Sequence, residues 1–296
     1  MKIIDMRLRP PLSSMVNNSI FDLEATPPFA RLFDRSYMGE SAIQRSIPLL
    51  IKEMDENNIE IGVMALRKLV DRKLYDEAVE LMDQYPGRFI GFLGLDLSNV
   101  DQAMQDTKDL VVDGRFSGVN LEPTHLGMYA SDERLFPVYE YCEKNDIPVN
   151  MTFAAMVPDS TAAMPHRLDP VLKTFPKMRL CLSHGAWPWF TQVSALMFSY
   201  PNLYVSSDSY IMGMPGYMDY INAANSCCED QLIFGTCYPI HDIKKVVDFY
   251  LNAGFREDVL PKVFYDNAAH FLGLDKTDPA PWRKHPQACP VVNLSK

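Results

Sequence analysis

Positive charge is in short supply in this chain. Lysine and arginine number 28 against 38 aspartates and glutamates, a net charge of −10. A protein that grips nucleic acid needs a basic face for the phosphates, and no patch of that kind is present, so a nucleic-acid partner is excluded. Long apolar runs are also missing. The longest are strand-sized, far short of the ~20 residues that span a bilayer, so no membrane segment is expected. Met1 leads directly into an apolar strand without a leader-like stretch, and a cytoplasmic protein is expected. The six cysteines, Cys142, Cys181, Cys227, Cys228, Cys237 and Cys289, lack Cys-x-x-Cys spacing; in a reducing compartment they are expected as free thiols.

What is present is an ordinary globular composition, 47% hydrophobic and 22% charged over 296 residues, enough for one barrel-sized core or two smaller ones. Apolar β-rich runs alternate with amphipathic ones. Strands are predicted at Ile3–Leu8, Ile59–Leu66, Phe89–Leu95, Gly118–Glu122, Val149–Phe153, Arg179–His184, Leu203–Ser207 and Gln231–Thr236. Several are continuous apolar runs, the mark of parallel strands covered on both faces. Helices are predicted over Ser41–Asn57, Leu74–Tyr85, Val100–Val112 and Glu133–Asn145, the last capped by Ser131 or Asp132. Eight strands alternating with helices predict an α/β fold, a single (β/α)8 TIM barrel over residues 1–274, with a doubly wound sheet as the rival. Residues 10–40, with Pro27, Pro28, Phe29 and Phe33, read as a long loop, a lid or binding segment; residues 275–296, with Pro279, Pro281, Trp282, Pro286 and Pro290, form an irregular tail suited to a subunit contact.

The first strand carries an unusual feature. Ile3, Ile4, Met6 and Leu8 supply its buried positions and Pro10 and Pro11 stop it, which places Arg7 and Arg9 on one side at its carboxyl end. Two guanidiniums on a core strand are costly to bury unless anions meet them. The pair reads as an anion clamp for substrate, or as two charges neutralised by internal carboxylates.

Several segments resemble a known family. Met1-Lys2-Ile3-Ile4-Asp5, the run Glu53 to Ile59, Tyr85-Pro86-Gly87-Arg88-Phe89, Leu182-Ser183-His184-Gly185, Phe234-Gly235-Thr236-Cys237-Tyr238-Pro239 and Asp266-Asn267-Ala268-Ala269 resemble, in order, segments of the metal-dependent hydrolases of the amidohydrolase-2 type. That group includes aminocarboxymuconate semialdehyde decarboxylase and related lactonases and decarboxylases. The resemblance covers residues 1 to 274 and implies a TIM barrel with its site at the carboxyl ends of the strands.

Departures from the family bear most on function. Its His-x-His pair falls on Arg7 and Arg9, which cannot bind a divalent cation because guanidinium stays protonated. A further histidine falls on Thr152 and the strand-eight aspartate on Cys237, so only His184 remains of that set. No metal and no cofactor are therefore expected.

At the mouth of such a barrel Arg7, Arg9, Glu122, His184, Asp208 and Cys237 converge. His184 is the candidate acid or base, its ordinary pKa near 6.5 suiting proton transfer. Glu122 pairs with Arg7 or Arg9 or serves as a second base. Cys237 is a nucleophile or an inert buried thiol, and Asp208 a catalytic carboxylate or a loop cap. Trp187 and Tyr238, with Trp189, are candidates to wall an apolar pocket, and His125, His166 and His241 lie on loops at the mouth, where histidines are usually solvated. The expected function is a metal-independent hydrolase of a small carboxylated lactone or ester. The alternatives are a decarboxylase or isomerase and a non-catalytic anion-binding barrel. A homodimer or higher homo-oligomer is expected.

Overall fold

The computed structural model describes residues 1–16, 19–21, 37–68, 72–155 and 160–275. The strands are β1 (Ile3–Asp5), β2 (Ile59–Lys68), β3 (Phe89–Gly94), β4 (Gly118–Leu121), β5 (Val149–Thr152), β6 (Leu180–Ser183), β7 (Leu203–Ser206) and β8 (Leu232–Ile233). They lie side by side in chain order and every pair is parallel. Leu8 pairs in parallel with Tyr238, and the backbone N–H groups of Met6 and Arg9 donate to Phe234 and Tyr238 at 3.1 and 3.2 Å. These contacts join the two ends of the sheet, and the fold is a TIM barrel.

Helices fill the connections: α1 (Glu40–Ile43), α2 (Ile47–Glu56), α3 (Arg72–Gln84), α4 (Val100–Thr107), α5 (Phe136–Lys144), α6 (Asp169–Thr174), α7 (Phe190–Ser199), α8 (Tyr217–Ala224), α9 (Ile243–Asn252) and α10 (Asn267–Leu272). Side chains alternate between two buried environments because successive strand residues face opposite ways. Ile61, Val63, Ile90, Phe92, Cys181, Tyr204 and Ile233 cluster with Phe271 and Leu272 of α10. Their strand neighbours Met64, Leu93, Val119, Val149, Leu180, Leu182, Leu203 and Val205 pack with the helices instead. Burial on both faces explains why the strands read as continuous apolar runs.

Two of the departures from the sequence reading bend the chain. The first strand ends at Asp5 instead of Leu8, because Asp5 Oδ1 accepts from the backbone N–H of Arg7 (2.9 Å) and bends the chain. The helix expected over Ser41–Asn57 is split into α1 and α2 at Arg45, whose φ of 53° is left-handed; Ser46 then caps α2, accepting from Leu49 N–H. Asp132 is the cap before α5, where Oδ1 accepts from Arg134 N–H at 3.1 Å. Most of the loop after the first strand, including Pro27, Pro28, Phe29 and Phe33, and the tail from residue 276 lie outside the described residues. Among the described residues no helix is long and apolar enough to cross a membrane.

Candidate active site

Asp5 sets the first part of the site. Its buried carboxylate takes the N–H of Arg7, and the N–H and hydroxyl of Thr236 at 2.9 and 2.5 Å, so it ties the bend after β1 to the chain after β8. That bend turns the Arg7 side chain into the barrel. Gly235 makes room: a Cβ there would lie 2.6 Å from Ser206 Oγ and 3.2 Å from Arg7 Cβ. Arg7 is fully buried and Arg9 is 3% exposed.

A chain of neutral polar groups underlies Arg7. Asn120 donates to the Leu66 carbonyl, Asn150 to Asn120, Ser183 to Asn150, and Arg7 Nη1 to Ser183 Oγ, at 2.8, 2.6, 2.8 and 3.4 Å. Such a chain orients a guanidinium without neutralising it. Among the described residues no carboxylate oxygen lies within ion-pair reach of Arg7 or Arg9, and Arg7 Nε and Arg9 Nη2 are buried without a hydrogen-bond partner. Asp208 and Glu122 therefore act on the pair only through longer-range charge and not through direct ion pairs.

His184, Asp208 and Cys237 follow β6, β7 and β8, and each has left-handed backbone, with φ of 68°, 38° and 57°. For residues other than glycine this conformation costs on the order of 1–3 kcal/mol, and it gathers here at the mouth. Asp208 accepts from His184 N–H and Nδ1, each at 2.9 Å, and from Ser209 N–H at 2.6 Å. Arg7 Nη2 lies 2.9 Å from His184 Nε2. A guanidinium can only donate, so Nε2 is the acceptor and the single ring proton sits on Nδ1, facing Asp208. Burial holds His184 below its ordinary value, with Arg7 adding to the effect against the pull of Asp208; the ring is neutral. Burial pushes the Asp208 carboxyl up, but the His184 and Arg7 interactions outweigh it and it stays ionised. Burial and the Asp208 charge push the Cys237 thiol up to about 11, against Arg7, so it is protonated at neutrality. Arg9 donates from Nε to the Ala65 carbonyl at 3.1 Å, and burial together with the charges of Arg7 and Arg67 pulls it down to about 9.

Glu122 is placed elsewhere than at the arginine pair. Its carboxylate meets Arg67 Nε and His125 Nδ1, each at 3.5 Å, and accepts from Thr152 Oγ1 at 3.3 Å. Burial raises its carboxyl, but the His125 hydrogen bond and the charges of Arg67 and Arg9 outweigh this and hold it well below the usual range. Trp187 stacks on Tyr210 (centroids 5.4 Å apart), and Tyr210 meets the His184 ring edge-on at 5.6 Å, so this aromatic pair walls the histidine. Tyr238 is buried with its hydroxyl 3.0 Å from Ser41 Oγ, which itself donates to Glu53, so it anchors α1 to the barrel and does not line the mouth. His241 is 2% exposed, not solvated as its loop position suggests.

The sequence reading missed Arg67, Tyr210 and the layer of Asn120, Asn150 and Ser183. Arg67 lies beyond Leu66, where the apolar run that predicts the second strand ends. Polar residues in otherwise apolar strands were the available signal for Asn120 and Asn150.

The family model for amidohydrolases of the second type matches residues 60–274, most of the chain. The chain belongs to the amidohydrolase family. Across 92% of its length this amidohydrolase is 33% identical to an uncharacterised TIM-barrel protein from Bordetella bronchiseptica, covering 99% of that chain with a TM-score of 0.81. It also resembles a 2,6-dihydroxybenzoate decarboxylase from Rhizobium (16% identity, 93% of this chain and 100% of that one, TM-score 0.67). A 5-carboxyvanillate decarboxylase from Sphingomonas paucimobilis is similar at 16% identity, over 92% of this chain and 99% of that one, with a TM-score of 0.62.

Metal is bound by some of these relatives, a dihydroxybenzoic acid decarboxylase from Polaromonas being a manganese complex. In this amidohydrolase the ligand atoms of His184, Asp208 and Cys237 all lie within 4.8 Å of one another. Their chemistry does not fit a divalent cation. Coordination through Nε2 would displace Arg7 and set the ion against that charge, and coordination through Nδ1 would break the bond to Asp208.

Proposed function

We propose that the protein releases CO2 from a small carboxylated substrate, with Arg7 and Arg9 holding the carbonyl or phenol oxygen next to the departing group. The observation that carries this reading is an imbalance between donors and bases. Both bases are committed, His184 Nε2 to Arg7 and Asp208 to three N–H groups. Two guanidinium donors are open, Arg7 Nε and Arg9 Nη2, and Cys237 carries its thiol proton. Such a site suits a reaction that builds negative charge on oxygen, and poorly suits one that begins by deprotonating water.

In balanced form, a β-oxo acid breaks the C–C bond to its carboxylate, the electron pair forms an enolate held by the guanidiniums, CO2 departs, and the vacated carbon takes a proton from Cys237 Sγ, which solvent restores. With an ortho-hydroxy aromatic acid that proton reaches the ring carbon first, and the C–C electron pair then restores the ring as a phenolate held by the guanidiniums while CO2 departs. Names of related proteins as decarboxylases of carboxylated phenols support this reading. The test is a panel of ortho-hydroxy aromatic acids and β-oxo acids assayed for CO2 in D2O. Turnover with deuterium at the vacated carbon, lost in Cys237→Ala, is expected; turnover that survives this substitution removes the role of the thiol, and no CO2 from any acid removes the reaction.

A second reading is lactone or ester hydrolysis, favoured by the His184–Asp208 pair, which is the arrangement of a general base once Arg7 turns from Nε2 to a substrate. Ring opening of a carboxylated lactone without CO2 would select it.

A further inference from the structure

Arg67 extends from the end of β2, two residues beyond Ala65, whose carbonyl holds Arg9 Nε. Its side chain is 41% exposed, and its nearest carboxylate contact is Nε at 3.5 Å from Glu122 Oε1. Among the described residues it makes no hydrogen bond, and Nε is buried without one. Glu122 is already served by His125 and Thr152, so it does not need the whole guanidinium. Arg67 thus shares with Arg7 and Arg9 a buried guanidinium N–H without a partner, while Glu122 meets its charge only at Nε.

The open donors fall into two groups. Arg7 reaches across the barrel to Ser183 and His184 at the end of β6. Arg9 and Arg67 stay on the side of β2 and β4, with Ala65 and Glu122. A single carboxylate accepts one bidentate guanidinium well and a second at its remaining lone pairs, so three guanidiniums exceed what one carboxylate satisfies. The mutual repulsion of Arg7, Arg9 and Arg67 helps pull Arg9 down to about 9 despite the opposing charge of Glu122, and anionic charge placed among them relieves it further.

We infer that Arg9 and Arg67 form a second anion subsite, so that the substrate carries, besides the carboxylate that departs and the oxygen that gains charge at Arg7 and Arg9, a second carboxylate anchored between Arg9 and Arg67. This inference rests on the reading that Arg7 and Arg9 hold an anionic substrate. Arg67 is then the residue that sets specificity for dicarboxylates over monocarboxylates.

Isothermal titration at low ionic strength, with benzoate and salicylate against isophthalate and glutarate, tests it without requiring turnover. Wild type should bind the dicarboxylates more tightly. Arg67→Met should cost them roughly tenfold to a hundredfold, the range for a charge-assisted bond, and leave the monocarboxylates within about twofold. Near-ultraviolet circular dichroism verifies that the variant is folded. Equal affinity for both classes in wild type, or a preference that survives Arg67→Met, overturns the second subsite while leaving the first. The double variant Arg67→Met/Glu122→Gln separates a ligand contact from mere neutralisation of Glu122: its affinities should match those of Arg67→Met, and restored preference for dicarboxylates overturns the inference. Failure of every anion to bind wild type would overturn both this subsite and the anion reading of Arg7.

Discussion

Arg7 Nη2 donates to Nε2 of His184 at 2.9 Å, which puts the strongest cation of the site on the nitrogen that a general base would use. Base and clamp are therefore one device: an anion that draws Arg7 away frees Nε2. Arg7→Met should raise the pKa of His184, because the arginine is one of the groups holding it down, although burial keeps it below its ordinary value. Imidazole NMR titration of wild type and variant measures this, and an unchanged midpoint would refute the coupling.

The same geometry predicts how anions stabilise the protein. Small dicarboxylates should raise Tm at low salt, and the shift should shrink as ionic strength rises. Arg7→Lys keeps the charge but loses the planar fork, so it should weaken carboxylate binding by about 1–3 kcal/mol. Arg7→Met should shrink the shift to what Arg9 and Arg67 still hold while leaving the ligand-free Tm close to wild type, since no carboxylate among the described residues is in ion-pair contact with Arg7, and replacing a buried charge with an apolar side chain is often neutral. A ligand-free Tm that collapses in Arg7→Met would identify a structural charge instead.

The barrel was legible in the sequence because parallel strands buried on both faces leave continuous apolar runs, and eight of them alternate with helices. The neighbourhood of Arg7, His184, Asp208 and Cys237 was legible for a related reason: each stands at or just past a strand's carboxyl end, and closure of the sheet brings those ends together. Side-chain direction was not legible. Tyr238 is next to Cys237 in sequence yet points to Ser41 and Glu53, and Glu122 chose Arg67 over the arginine pair, because those choices depend on where α1 and the end of β2 lie. The bend at Asp5 was hidden as well, since it depends on a side chain accepting from its own backbone two residues on.

Metal analysis offers an independent check. With Arg7 on Nε2 and Asp208 on Nδ1 of His184, purified protein should contain well under one equivalent of zinc or manganese, and chelator should leave turnover unchanged. Elemental analysis near one metal per chain, with activity lost to chelator and restored by that ion, would contradict this.

Two buried groups should oppose each other in the acid range. Burial pushes Asp5 from 3.8 to about 6, against the hydrogen bonds from Thr236 and Arg7. Its contribution to stability is therefore complete below pH 3.8 and lost as pH rises through about 6. Burial pulls His241 from 6.5 to about 4, so its contribution is complete above pH 6.5 and lost as pH falls through about 4. Each displacement corresponds to about 3 kcal/mol. Wild type should thus vary little between these limits, because one group gains what the other loses. Asp5→Asn removes one side of the balance while keeping an oxygen to accept from Arg7 and Thr236. It should be more stable than wild type at pH 7, by at most about 3 kcal/mol, and the advantage should vanish near pH 4. Urea titrations of both proteins across this range decide the matter, and a stability difference that is the same at both ends would show that Asp5 titrates normally in the fold.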